Sequence, residues 1–279
     1  MLMRKSFAHN PSPLLIGVVR ERTVRDAIAT IRNCEYHGAT GIDLHLSCLD
    51  EEAQSLEGLK RIINACRLPI LALHYSQTYN YESFEIDEES RVEMLLRFLE
   101  AGGAAVDIQG YTYDRFSKSA FRSEFSHLGY SFIRDNPLEV VVDPKVIEKQ
   151  MELIDRVHHM GAEVLISTHP SVPMNCEQVV DLALFLEKRN PDVIKIIAPC
   201  YNDDQLAECF KTMITLKKEV KTQVHFHCSG SAGSISRIIN PILGGYLCFC
   251  SDGYTASSNF EQLDLQTAKT IIDNMAKIK

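Results

Sequence analysis

No C-x-x-C pair occurs among the nine cysteines of this 279-residue chain, which stand at positions 34, 48, 66, 176, 200, 209, 228, 248 and 250. An odd number of scattered thiols, several in apolar runs, argues against a zinc ribbon or a disulfide framework and points to a reducing compartment. Positive charge is also short: 29 Lys and Arg stand against 37 Asp and Glu, a net charge of −8. A broad phosphate-binding surface, and with it a nucleic-acid partner, is not expected, although a local basic pocket is compatible with this balance. No stretch approaches the roughly 18 apolar residues of a membrane span. The start, Met1 to Ser6, lacks the continuous apolar run of a signal peptide. A cytoplasmic protein without a membrane partner is the expectation.

What the chain does carry is alternation of strands and helices. Apolar runs predict strands over 14–19, 41–46, 70–75, 104–109, 163–168, 192–198, 222–227 and 246–251. Helical spacing predicts helices over 24–37, 55–66, 88–101, 144–160, 176–188, 204–219, 233–240 and 264–276. Gly38, Gly102 and Gly161 read as helix stops, and Asn202 as the N-cap of the helix that follows it. Eight strand–helix units in a chain of this length predict a single (β/α)8 barrel domain over residues 1–279. No G-x-G-x-x-G follows the first strand, which argues against a dinucleotide-binding fold. One connection is out of rhythm. Residues 110–143 form an aromatic and polar segment without a clean period, far longer than a usual strand-to-helix loop. It reads either as a lid or specificity loop or as an inert excursion.

Lys195 stands inside the apolar run Val193-Ile194-Lys195-Ile196-Ile197-Ala198. A buried ammonium loses its hydration, which favours the neutral amine, the nucleophile that forms imines with ketones. The bland alternative is a lysine that snorkels from the strand end or pairs with a carboxylate. The preceding strand ends in His169, a residue type suited to general acid–base work near neutral pH. Strand ends of a barrel converge on one mouth, and the others carry Asp43 and His45, His74 and Tyr75, Asp107 and Gln109, and His225 and His227. A Gly/Ser loop, 228–236, opens into a helix with Arg237 in its first turns, a natural seat for an anion.

Together these residues resemble the type I 3-dehydroquinate dehydratases, Schiff-base (β/α)8 enzymes of the shikimate and quinate pathways. The family's strand-end histidine matches His169, and its lysine in a "KIA"-like strand matches Lys195. Its Gly-x-x-Ser-Arg segment matches Gly233 to Arg237, and the serine and glutamine of its closing loop match Ser258 and Gln262. The first half departs from the pattern. The family's Glu-x-Arg on the second strand is here Asp43-Leu44-His45, and its third-strand arginine aligns with Tyr75. The acidic residue just beyond aligns near Tyr79, while the fourth strand keeps Asp107 but has Gln109 where Glu is usual.

The resemblance implies dehydration of 3-dehydroquinate, or of a related cyclic hydroxy-keto acid, with Lys195 forming the imine and His169 moving the proton. It implies that Arg237, Ser258 and Gln262 hold a small-molecule carboxylate substrate, and that Asp43, His45, Tyr75 and Asp107 stand where its hydroxyls are recognised. It implies no cofactor and no metal. The family's habit of oligomerising makes a homodimer one expectation, which nothing in the sequence fixes. Three rivals stay open. One is a Schiff-base lyase or aldolase acting on another keto acid. A second is a metal-dependent barrel hydrolase or isomerase using the strand-end histidines, two of which, His225 and His227, share a strand face. The third is a carboxylate-binding relative without turnover.

Overall fold

The computed structural model describes residues 6–75, 86–115, 117, 136–254 and 261–278. Ser258 and Tyr79 fall outside these residues, as does much of the 110–143 segment, namely 116 and 118–135. The strands are β1 (Leu14–Val19), β2 (Gly41–His45), β3 (Ile70–Leu73), β4 (Ala105–Gln109), β5 (Glu163–Thr168), β6 (Val193–Pro199), β7 (Gln223–Ser229) and β8 (Leu247–Cys250). The helices are α1 (Val24–Tyr36), α2 (Glu51–Gln54), α3 (Leu56–Ile63), α4 (Glu88–Glu100), α5 (Pro144–His159), α6 (Cys176–Glu187), α7 (Asp203–Glu219), α8 (Ser236–Leu243) and α9 (Leu265–Ala276). Each strand is followed by helix before the next begins, which makes this a (β/α)8 fold, as expected.

The chain forms two compact units. The first comprises Met1–Asp107, Met160–Glu163 and Leu247–Lys279, and the second Ile108–His159 and Val164–Tyr246. In the first unit the strands lie in the order β8-β1-β2-β3-β4, with parallel registers throughout. Residues 6–8 are tied into it at the foot of β5. Glu163 accepts the Phe7 and Ala8 backbone N–H groups at 2.6 and 2.8 Å, and the Ser6 hydroxyl donates to the same carboxylate.

In the second unit β5, β6 and β7 pair in parallel, with Ser167, Lys195 and His225 at one level. Side chains alternate faces along a strand. Ile194, Ile196 and Ala198 of β6 enter a core with Val179, Leu182, Ala183 and Leu186 of α6 and Met213 and Leu216 of α7. Burying each such aliphatic side chain is worth about 1.5–3 kcal/mol. Lys195 belongs to the opposite row, so the burial of β6 against α6 and α7 fixes which way the lysine points. Asn202 caps α7, as the sequence predicts, and Asn175, which the sequence reading did not single out, caps α6 in a capping box with Gln178.

Two helices differ from expectation: α2 (Glu51–Gln54) is not among the predicted spans, and the next-to-last helix is displaced. The spacing predicts its span as 233–240, but α8 runs from Ser236 to Leu243. Gly233 is held in a tight turn, its N–H donating to the Gly230 carbonyl, and Ser236 ties that turn to β7. The Ser236 hydroxyl accepts the Cys228 N–H at 2.7 Å and donates to the Gly233 carbonyl at 2.6 Å. Pro241 sits inside the helix, which stops instead at Gly244, left-handed at φ +118°.

Candidate active site

In the second unit, side chains of β5, β6, β7, α8 and the 136–141 segment bring together the two residues expected to be catalytic and the arginine expected to seat an anion. Lys195 is 97% buried on the row of β6 that faces away from α6 and α7. His169 follows the end of β5, two positions past Ser167 and so on the same face. It is buried, and its imidazole lies well below its ordinary pKa. Burial is the main cause, and the charges of Lys195 and Arg237 act in the same direction. A neutral imidazole offers a bare ring nitrogen that can take up a proton.

A carboxylate stands behind that imidazole. Glu139 Oε2 lies 3.3 Å from His169 Nδ1 and accepts the His169 backbone N–H at 3.2 Å. Glu139 is buried, and burial pushes its carboxyl up to about 8, while the His169 N–H and the charge of Lys195 pull it down. Its backbone is left-handed, at φ +50°. The sequence reading passes over Glu139, although the signal is there. It is an acidic residue inside Leu138-Glu139-Val140-Val141-Val142, the same anomaly that marks Lys195.

His225 and His227 project from one face of β7, with Nε2 of the first 2.7 Å from Nδ1 of the second. Both are buried and both titrate below the ordinary histidine range. Burial takes His225 down to about 3, helped by the Lys195 and Arg237 charges. For His227 burial again leads, followed by Arg237 and then its neighbour His225. Among the described residues no group of three His, Cys, Asp or Glu side chains is arranged to hold a metal ion. Arg237 is buried in the first turn of α8, and Gln109 is fully buried at the end of β4.

The other expected residues belong to the first unit. Asp43 and His45 are buried on β2, with Oδ2 and Nε2 3.5 Å apart, and the Tyr75 ring meets the His45 ring edge-on. Asp107 is fully buried on β4, level with Leu73 of β3. Gln262 is buried and accepts the Ser251 hydroxyl through Oε1, while the Tyr254 hydroxyl donates to its backbone carbonyl. His74 is pushed down to about 4 by burial and by the neighbouring Arg91. Arg91, itself fully buried, donates to the His74 carbonyl and to both oxygens of Glu88.

Solved structures define the class first. Over 96% of this chain and 93% of the other, the fold matches the 3-dehydroquinate dehydratase of Geobacillus kaustophilus, with a TM-score of 0.73 at 12% identity. The type I enzyme of Clostridium difficile, solved with covalent modified comenic acid, matches over 97% of this chain and 95% of its own, with a TM-score of 0.72 at 12% identity. At such identities these likenesses establish the (β/α)8 fold. The family model for type I 3-dehydroquinase matches residues 17–279, and the chain belongs to that family. Among curated relatives, the 3-dehydroquinate dehydratase of Coxiella burnetii strain RSA 493 is 29% identical over 125 residues. That match spans 44% of this chain and about half, 52%, of the relative. No helix among the described residues is long and apolar enough to cross a membrane.

Proposed function

We propose that the protein is a hydro-lyase that eliminates water from 3-dehydroquinate to give 3-dehydroshikimate. In this reading the Lys195 amine adds to the ring ketone, and loss of water from the adduct leaves an imine. The protonated imine withdraws electrons from the neighbouring carbon. His169 takes a proton from that carbon and returns one to the departing hydroxyl, so that water leaves and a conjugated enone remains. Hydrolysis of the imine frees the product and restores the lysine. General acid–base work of this kind contributes about 10²- to 10⁴-fold in rate.

The observation that carries the reading is Lys195, buried on the row of β6 that faces away from α6 and α7, with His169 neutral on the adjoining strand. Arg237 supplies a fixed, buried positive charge for a carboxylate. The family motif assigns further carboxylate contacts to Ser258 and Gln262, and recognition of the rest of the substrate to Asp43, His45, Tyr75 and Asp107. A cytoplasmic setting, a homodimer and the absence of a cofactor belong to the same proposal.

The test is to mix the protein with 3-dehydroquinate, add borohydride, and map any mass increase by peptide mass spectrometry while following enone absorbance. An adduct on Lys195 with enone formation is the expected result, and Lys195→Ala should lose both. Appreciable turnover by Lys195→Ala would sink the mechanism. A second reading, a Schiff-base lyase for a different keto acid, is favoured by the buried Asp43–His45 contact, which replaces the Glu-x-Arg of the family. An arginine fork and its fixed charge are both missing there. An adduct on Lys195 without enone formation would select it.

A further inference from the structure

A histidine that takes up a proton and gives it back needs its other ring nitrogen held, because that contact sets which nitrogen is free to react. We propose that Glu139, delivered by the 136–141 segment after β4, is the positioning residue for His169. In its ionised form its carboxylate accepts the Nδ1–H hydrogen bond, leaves Nε2 bare as the atom that takes up and returns the proton, and balances the imidazolium when His169 is charged. This rests on the reading of His169 as the acid–base group.

The segment is built to place that one side chain. All six residues from Asn136 to Val141 are buried. The Asn136 side chain bonds Val140 in both directions, accepting its N–H and donating to its carbonyl. Arg189, fully buried, donates from Nη2 to the Val141 carbonyl at 2.7 Å. The Val141 N–H donates to Gly110, the Ser171 N–H to Pro137, and the Thr168 hydroxyl to the Leu138 carbonyl. The segment is therefore fastened at 137, 138, 140 and 141, on either side of the glutamate.

Two features show the cost accepted for this path. Glu139 holds a left-handed backbone that an unbranched acidic side chain gains nothing from locally, and such conformations persist where the surroundings impose them. A side-chain carbon at Gly110 would come within 2.6 Å of the Glu139 carbonyl oxygen, so only glycine lets the exit of β4 pass this close. Oε2 already accepts the His169 backbone N–H, and a carboxylate oxygen in that role receives the Nδ1 proton as well.

The test uses Glu139→Gln and Glu139→Ala in the full chain, with ring ¹⁵N NMR of His169 assigned through His169→Gln. Above pH 8, where Glu139 is ionised, wild type should show Nδ1 protonated and Nε2 bare. Glu139→Ala should mix the two tautomers, whereas Glu139→Gln, whose amide oxygen still accepts, should keep them. Both variants should still be trapped on Lys195 by borohydride, with kcat lowered about 100-fold and KM little changed. Should Glu139→Ala fail to fold, the shape-conserving Glu139→Gln decides through kcat against trapping. Unmoved ring nitrogens in folded Glu139→Ala, or full kcat in Glu139→Gln, would overturn the proposal. If wild type neither traps nor turns over 3-dehydroquinate, it is the functional reading that fails, and the ring nitrogens still decide whether Glu139 holds His169.

Discussion

Lys195 and Glu139 are the same kind of anomaly, a charge inside an apolar run, yet only the lysine's placement can be worked out from the sequence. Lys195 lies in a run with a strand's length and neighbours, so its burial follows directly. Glu139 lies at the end of a long segment with no period, and its placement depends on Asn136 within that segment and on Arg189 and Thr168, which approach from other elements. Arg237 was legible as an anion seat, and its burial sharpens what its loss should do. Removing a charged hydrogen bond to a buried carboxylate costs about 1.5–3 kcal/mol. Arg237→Ala should therefore raise KM for the carboxylate substrate about 10- to 100-fold while kcat changes less. Arg237→Lys should restore only part of the loss, since a point charge replaces a planar fork. Steady-state kinetics on both variants checks this, and an unchanged KM in Arg237→Ala would remove the arginine from substrate binding.

At the level of elements, sequence and structure agree wherever local chemistry decides. The ends of β1 and β5 fall at the predicted residues, because apolar β-branched runs bounded by turn residues leave little latitude. Helix starts are marked by Thr23, Asp87, Asn175, Asn202 and Asp264, each accepting a backbone N–H of the first turn. The exception is α8, whose start depends on the bond from Cys228 to the Ser236 hydroxyl and whose middle is anchored by Asn240, donating to the Phe226 carbonyl. Neither contact is local, so spacing alone could not find them. A local cap has a local consequence. Asn175→Ala should lower stability by about 1 kcal/mol through loss of the capping box, without changing turnover. Urea denaturation followed by circular dichroism reads the first, an enzyme assay the second. A drop in activity with unchanged stability would mean that the start of α6 does more than hold the helix.

For the whole molecule, buried histidines set the response to acid. His225 and His74 titrate near about 3 and about 4 when folded, against an ordinary value of 6.5, and His169 and His227 are displaced in the same direction. Below pH 6.5 the unfolded chain binds more protons than the folded one. Stability is therefore full above that point and is lost as pH falls toward about 4 and then 3. Each such histidine contributes a slope of up to about 1.4 kcal/mol per pH unit. Glu139 runs the other way. Raised from 4.5 to about 8, it contributes fully below pH 4.5, and that contribution is lost as pH rises through 8. The urea midpoint should fall markedly between pH 7 and pH 5, and His74→Gln should make that fall shallower. A midpoint that stays level over this range would show that these histidines are not buried as described. The acid sensitivity was not legible in the sequence, where His74, His225 and His227 read either as metal ligands or as core histidines.

The thiols carry a practical consequence. Seven of the nine cysteines are buried and two, Cys48 and Cys66, are half-buried. Burial raises the Cys34 thiol to about 12, and only thiolates react readily with alkylating reagents. A maleimide or a disulfide dye therefore meets two slow sites in the native molecule and nine once the chain opens. The protein carries its own labelling clock, in which the count of modified sulfurs reports how long and how far the chain has been unfolded.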